Sequence, residues 1–216
     1  MIRHHPEDAL LLACAGGSLD TGSALLVESH LETCARCRRA VRGFEQVGGR
    51  LLEAEEERAL DDGALARVLS RLDRPVSVPP PPVVRPKPRL PEGADWPRAL
   101  RHCRVSRWRP LGPGMRWSRV TVPHDPSANV LLLRIGAGKC LPRHTHTGTE
   151  LTQVLLGSFD DGRAVFGPGD FDAADTDVLH QPVVQARGEC ICLAAVEGRL
   201  VFESWLARVA SAVVGL

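Results

Sequence analysis

The chain has 216 residues, enough for two small domains, and its formal net charge of +1 conceals an uneven distribution. Residues 1–73 carry 9 Arg against 13 Asp and Glu, whereas residues 74–216 carry 18 Lys and Arg against 13 acidic residues. An acidic first part argues against nucleic acid as the main partner and favours a basic protein surface.

Four helices are predicted in residues 1–73, at positions 6–15, 22–32, 35–57 and 61–72. Pro6 and two acidic residues begin the first helix, and a pair of glycines ends it. The third helix carries apolar residues three and four positions apart, and the fourth has a similar apolar stripe that begins at Leu65. The first domain, residues 1–73, is therefore predicted to be all-α.

Eight prolines between residues 75 and 91 mark residues 74–93 as a linker. Such a composition predicts an extended, semi-rigid spacer. The alternative is a recognition motif for a proline-binding domain.

After the linker the apolar period changes from 3.6 to 2, which indicates short strands. The predicted strands are 115–122, 129–135, 151–156, 163–166, 178–180, 190–196 and 200–206. Many short strands separated by turn residues predict an all-β sandwich or barrel for residues 94–216.

The first candidate metal site combines His30, Cys34 and Cys37, which are spaced at i, i+4 and i+7. This spacing suits one face of a helix or a junction between two helices. Either His4 or His5 would complete a Cys2His2 set, a typical tetrahedral zinc site. The alternative is that the histidine is a surface residue and the two thiols are free or redox-active.

The second candidate site combines His144, His146, Glu150 and His180. Residues i and i+2 of a strand point the same way, so the first two imidazoles face one interior. Three imidazoles and a carboxylate suit a divalent metal, with room for water or a small ligand. We expect Zn²⁺ here, with Fe²⁺, Mn²⁺ and Ni²⁺ as alternatives.

The seven cysteines do not resemble a secreted disulfide framework, because their number is odd and two have C-x-x-C spacing beside a histidine. A reducing cytoplasm is therefore favoured. The start of the chain lacks the apolar core of a signal peptide, and no stretch approaches 18 apolar residues. We therefore expect a cytoplasmic protein without a membrane span. Cys190 and Cys192 share one face of a predicted strand, where they either respond to oxidants or serve as small core residues.

Two motifs carry a resemblance to a known family. The pattern G-x5-H-x-H-x3-E-x6-G, from Gly138 to Gly157, and the later segment from Phe166 to His180 resemble the two cupin motifs. The upstream histidine with H-x3-C-x2-C resembles the zinc-binding anti-sigma domain. In this order the two modules resemble the ChrR family of anti-sigma factors.

The resemblance implies the fold and the ligands. It implies a helical zinc domain followed by a cupin, a double-stranded β-helix of the jelly-roll type. Four residues match the family's zinc ligands (His5, His30, Cys34 and Cys37), and four match its cupin ligands (His144, His146, Glu150 and His180). Cys190 and Cys192 match a Cys-x-Cys pair found in family members.

The resemblance also implies the function. The helical domain would bind an extracytoplasmic-function sigma factor in a 1:1 complex, and the cupin domain would respond to singlet oxygen or a peroxide. Neither nucleic acid nor a membrane is an expected partner, and the protein would not be an enzyme. The alternative is a metal-dependent cupin enzyme, similar to a dioxygenase, that acts on a small carbonyl compound.

Overall fold

The computed structural model describes residues 1–72 and 87–203 of the chain. In residues 1–72, which we refer to as the head, it contains four helices: α1 (Asp8–Ala15), α2 (Thr21–Thr33), α3 (Ala35–Glu53) and α4 (Ala64–Leu72). The prediction of an all-α first part is confirmed. Within the two described ranges, no helix has both the length and the apolar character needed to cross a bilayer.

A single residue, Cys34, joins α2 to α3. Its backbone is extended (φ −103°, ψ 102°), so it ends one helix and caps the next. At the other end of α2, Asp20 Oδ1 accepts hydrogen bonds from the backbone N–H groups of Gly22 (2.8 Å) and Ser23 (3.0 Å). Helix α2 is therefore defined at both ends.

Two helix ends lie three or more residues from the predicted ones, and both are beside acidic residues. Helix α3 ends at Glu53, because residues 55–57 would add three carboxylates at the negative end of the helix dipole. Helix α4 begins at Ala64 because Asp61 forms a turn before it. The side chain of Asp61 accepts the N–H of Gly63 (3.1 Å), and its carbonyl accepts the N–H of Ala64 (2.9 Å).

The proline-rich linker predicted at residues 74–93 lies mainly outside the described residues. Its last part, residues 87–93, forms a turn but no helix or strand. A short 3-10 helix, η1 (Arg98–Leu100), follows.

The rest of the described chain forms strands and connecting loops, and we refer to residues 104–203 as the barrel. Its twelve described strands are β1 (Arg104–Val105), β2 (Arg109–Gly112), β3 (Met115–Val122), β4 (Asp125–Ile135), β5 (His144–His146), β6 (Glu150–Leu156), β7 (Phe159–Asp160), β8 (Val165–Phe166), β9 (Phe171–Ala174), β10 (Val183–Val184), β11 (Cys190–Val196) and β12 (Leu200–Phe202). All pairs are antiparallel. A large sheet has the order β1-β3-β4-β11-β6-β9, with β2 on β3, and two smaller sheets pair β10-β7-β8 and β12-β5.

Two sequence-predicted strands are not reproduced in full, and residues 204–206 of the strand predicted at 200–206 lie outside the described residues. The predicted strand at residues 178–180 is wrong, because His180 pairs with His144 only as an isolated bridge. The turn before it is held by Asp175, whose side chain and carbonyl accept backbone N–H groups from residues 177 and 178. The strand predicted at 163–166 shortens to β8, because the N–H of Arg163 bonds to the side chain of Asp161 in a turn.

Strand β11 contributes to two hydrophobic cores at once. Cys190, Cys192, Ala194 and Val196 pack inside the barrel against residues of both the large and the small sheets. The alternating residues Ile191, Leu193 and Ala195 face the other side, where they pack with apolar residues of the head. All seven residues of the strand are buried.

The head packs against the outer face of the large sheet through α2. Gly22 marks the closest approach, since a Cβ at this position would lie 3.2 Å from the Cβ of Ala195. The carboxylate of Glu32, also on α2, accepts the N–H groups of Arg98 (2.8 Å) and Ala99 (2.6 Å) at the start of η1. Head and barrel therefore share one continuous core.

Candidate metal centres

The head brings together one histidine from each of two segments and two cysteines from the helix junction. The donor atoms of His5, His30, Cys34 and Cys37 all lie within 4.8 Å of one another. His5 Nδ1 is 3.4 Å from each sulfur, and His30 Nε2 is 3.3 Å from Cys37 Sγ. Nitrogen and sulfur ligands of a tetrahedral zinc ion are about 3.5 Å apart. The four residues can therefore hold a metal ion.

The adjacent histidine faces elsewhere. The ring of His4 packs against that of Phe166, with 4.6 Å between centroids. Of the two N-terminal histidines, only His5 belongs to the head group.

Burial sets the protonation of the head ligands. His30 is fully buried, and this desolvation lowers its pKa to about 4, so the imidazole is neutral and ready to ligate. Burial, followed by the hydrogen bond that the Cys37 thiol makes with Cys34, raises the pKa of Cys37 to about 12. Without a cation this thiol stays protonated at neutral pH, because the surrounding protein does not stabilise a thiolate. A divalent ion supplies the positive charge that the site needs.

The barrel group is built on hydrogen-bonded strands. His144 and His146 alternate on β5, Glu150 begins β6, and His180 is held by two backbone hydrogen bonds of 3.0 Å to His144. All four side chains are buried. Backbone pairing therefore determines where each ligand lies.

The donor atoms of the barrel group converge on Glu150. Its Oε2 lies 2.9 Å from His146 Nε2, 3.6 Å from His144 Nε2 and 3.8 Å from His180 Nε2. Ligands about 2.1 Å from a common ion would be roughly 3.0 to 3.4 Å apart at octahedral or tetrahedral angles. The set can hold a divalent ion.

Backbone carbonyls orient two of these imidazoles. His144 Nδ1 donates to Pro142 O (2.8 Å), and His146 Nδ1 donates to Asp175 O (3.1 Å). This leaves each Nε2 as the ligating atom. Burial acts to raise the pKa of Glu150, but its interactions with His144 and His146 outweigh this effect and lower the pKa, so the carboxylate is ionised.

These observations can be set beside known proteins. Residues 97–198 match the family model of the ChrR cupin-like domain. The chain is 41% identical over 208 residues to the anti-sigma-E factor ChrR of Cereibacter sphaeroides. The alignment covers 96% of this chain and 95% of that protein. The chain belongs to the ChrR family of anti-sigma factors.

A solved structure of the same family has both parts of the fold. The crystal structure of Rhodobacter sphaeroides SigE in complex with the anti-sigma ChrR contains a chain that is 37% identical to this one. The alignment covers 91% of this chain and 100% of that chain, with a TM-score of 0.72. The predicted fold, a helical head followed by a cupin, is confirmed.

In this ChrR-family chain the Cys-x-Cys pair lies inside the cupin barrel. The sulfur atoms of Cys190 and Cys192 are 3.6 Å apart, and both line a cavity of about 30 Å³ together with Glu150 and His180. The hydrogen bond with Cys190, with burial second, raises the pKa of Cys192 well above its usual value. Both thiols are thus beside the barrel group, while their reaction with oxidants stays a prediction.

Sequence reasoning missed a charged cluster behind His180. Asp161 Oδ2 lies 3.6 Å from His180 Nδ1, and Arg163 bonds to both Asp161 (2.7 Å) and Asp172 (2.9 Å). Asp161, Asp172 and His180 could themselves hold a cation, but the guanidinium of Arg163 already bonds to both carboxyl groups. In the sequence only the turn Asp160-Asp161-Gly-Arg hints at this cluster.

Proposed function

We propose that this protein is an anti-sigma factor, whose head binds an extracytoplasmic-function sigma factor in a 1:1 complex and whose cupin barrel controls release. The observation that carries the proposal is the exposure of apolar side chains on α3 and on α4. Seven large apolar side chains there are more than half exposed, and we refer to them as the apolar patch: Val47, Leu51, Leu52, Leu65, Val68, Leu69 and Leu72.

A patch of this kind marks a protein-binding surface. The first half of α3 is covered, since Val41 is 7% exposed, whereas Leu51 is 66% exposed and Leu52 75% exposed. Four acidic residues, Glu53 and residues 55–57, lie beside the patch and would attract a basic partner. The relative in the SigE complex supports a sigma factor as that partner.

We propose Zn²⁺ for the head, with His5, His30, Cys34 and Cys37 as ligands, because the two sulfur donors favour this ion. When bound, the ion links the N-terminal segment to the α2–α3 junction. The apolar patch extends from that same helix α3, so the proposed site holds the binding surface in place. In the barrel we propose that His144, His146, Glu150 and His180 hold a divalent metal, with Zn²⁺ favoured over Fe²⁺, Mn²⁺ and Ni²⁺.

The oxidative signal is proposed to act inside the barrel. The cavity of about 30 Å³ beside Cys190 and Cys192 has room for a water-sized molecule but not for a bulky one. Hydrogen peroxide could accept two electrons and two protons from the thiols, leaving as two water molecules while the sulfur atoms form a disulfide. Ile191, Leu193 and Ala195 alternate with these cysteines on β11 and pack against the head. A change at the cysteines inside the barrel would therefore reach the outer face of the strand, where the head packs.

The cytoplasm is the proposed location, because a sigma factor acts there and all seven cysteines are free thiols.

The experiment that tests sigma binding replaces two residues of the apolar patch. The double variant Leu51→Arg/Leu69→Arg should bind the sigma factor at least ~10-fold more weakly than the unmodified chain, about 1.4 kcal/mol. The matched control is Val165→Arg, a half-exposed apolar residue of the barrel, which should bind normally. Titration calorimetry measures both, and equal affinity for all three proteins would remove the patch from the interface.

The alternative function, a metal-dependent cupin enzyme, has one observation in its favour. An open depression of about 530 Å³ reaches His180 from the surface, and Arg143 and Gln181 line it. A small carbonyl compound would fit there. Consumption of oxygen by the iron-loaded full chain with such a compound, abolished by Glu150→Ala, would support this function.

A further inference from the structure

The head metal group touches a loop of the barrel, the turn between β8 and β9 (residues 167–170). His30 Nδ1 donates to the carbonyl of Gly169 at 2.9 Å. The ring of His30 also meets the ring of Phe171 edge-on, with 5.7 Å between centroids. The Nε2 atom of this imidazole thus lies in the head metal group, whereas its Nδ1 atom is bonded to the barrel.

The same turn holds the segment that carries the other histidine. Asp170 Oδ1 accepts the backbone N–H groups of Arg3 (2.6 Å) and His4 (3.0 Å), directly before His5. The N–H of Phe171 donates to the carbonyl of His4 (3.1 Å). Since this stretch precedes α1, these bonds are what fixes its path beside the helix junction.

Two residues of the β8–β9 turn, Gly169 and Asp170, suit its close contact with the N-terminal segment. Gly169 has φ +85°, and a Cβ there would lie 2.8 Å from Ile2 Cγ1, so a side chain would push the N-terminal segment away. Asp170 is 4% exposed, and its second oxygen accepts the N–H of Gly167 (2.8 Å). Both carboxylate oxygens are therefore committed to the turn and the head.

We infer that the β8–β9 turn of the barrel supplies the outer shell of the head metal site, with Gly169 positioning His30 and Asp170 positioning His5. A histidine ligand is oriented, and its tautomer chosen, by the acceptor that its other nitrogen finds. Here the acceptor comes from a residue 139 positions away, in the barrel. The inference rests on the proposed occupancy of the head group by a divalent metal.

The turn is also joined to the barrel group. It leads into β9, which pairs with β6 so that Ala174 stands opposite Glu150. The side chain of Asp172 on the same strand bonds to Arg163, which also bonds to Asp161, beside His180. A rearrangement at the barrel group therefore has a short path through β9 to the head metal.

The test uses cobalt in the full-length chain, because only the head group contains thiolate ligands. Co²⁺ bound to thiolates gives a charge-transfer absorption that the imidazole and carboxylate ligands of the barrel do not give. Asp170→Ala should weaken Co²⁺ binding at the head by about 10- to 100-fold, the range found when outer-shell partners are removed. The absorption band should shift as well, because His5 is no longer held in place.

Two further variants separate positioning from general destabilisation. Asp170→Asn keeps an oxygen that can accept from Arg3 and His4 but loses the bond to Gly167. Its affinity for Co²⁺ should therefore lie between that of the unmodified chain and that of Asp170→Ala. Asp160→Ala removes a comparable turn bond, to the N–H of Gly162 (2.8 Å), from a side chain whose bond lies within its own turn rather than to the head, and should leave the cobalt spectrum and affinity unchanged.

The outcomes are distinct. Unchanged affinity and spectrum in Asp170→Ala would overturn the inference alone, and if that variant does not fold, unchanged values in Asp170→Asn would do the same. An equal loss in Asp160→Ala would also overturn it. A wild-type chain that shows no cobalt–thiolate band would overturn both the inference and the proposed head site.

Discussion

The two candidate metal centres are assembled in different ways. In the barrel, backbone hydrogen bonds of β5, β6 and the His144–His180 bridge place the ligands. In the head, the ligands come from an N-terminal segment without secondary structure, from α2 and from a helix junction. The difference suggests that the barrel group is preformed by its sheet, whereas the head group depends on its ion and on the barrel turn.

The largest expected effect concerns loss of the ligands. Cys37→Ser should lower the metal content by one ion per chain and reduce the thermal midpoint by on the order of 10 °C, because the ion links the N-terminal segment to the junction of α2 and α3. His146→Ala should also lose one ion but reduce the midpoint by roughly half as much. Metal analysis and calorimetry of both full-length variants check this, and a larger loss of stability in His146→Ala would reverse the comparison.

A second, smaller effect concerns pH in protein stripped of metal. The pKa of His30 is lowered to about 4, chiefly by burial, so the unfolded state binds its proton more readily between pH 6.5 and about 4. Stability should therefore fall as pH drops through that window. Denaturant midpoints at several pH values measure it.

The barrel histidine should show the opposite sign. Burial acts to lower the pKa of His146, but its hydrogen bond to Glu150 prevails and raises it. The contribution of His146 to the stability of the metal-free protein is fully present below pH 6.5, and it is lost as pH rises through the raised pKa. His146→Asn should therefore lower the free energy of unfolding at acidic pH. His30→Asn should instead reduce the loss of stability that the unmodified protein shows as pH falls. Identical pH profiles of stability for the two variants would contradict the account.

The smallest expected effect concerns the contact between the two regions. Gly22→Leu should destabilise the protein by about 1–3 kcal/mol, because its side chain would meet Ala195 and Val130 on the sheet. Gly43→Leu is the matched control, since a Cβ there has nothing within 4 Å. That substitution should be neutral or stabilising, because leucine favours helix over glycine. Urea unfolding compares the two, and equal effects would show that α2 does not pack closely on the sheet.

Much of the fold could be predicted because local patterns determine it. The spacing of His30, Cys34 and Cys37 and the alternation of His144 with His146 depend on one helix junction and one strand. These are short-range features, and the structure brings both sets together. The role of the eight residues as ligands stays a prediction that metal analysis will test.

Contacts between distant segments were not predictable in the same way. No pattern in the sequence indicates that Asp170 binds the backbone of Arg3 and His4, more than 160 residues away. The cluster of Asp161, Arg163 and Asp172 likewise arises from the packing of separate turns and strands. The wrongly predicted strand at 178–180 has the same origin, since the position of His180 depends on its bridge to His144 rather than on its neighbours.

The most direct test of the central claim is a titration of the metal-loaded full-length chain with each extracytoplasmic-function sigma factor of its host. We predict a 1:1 complex with one of them, and at least a ~10-fold loss of affinity in Cys37→Ser. If the metal-loaded chain binds none of these sigma factors, the account is contradicted.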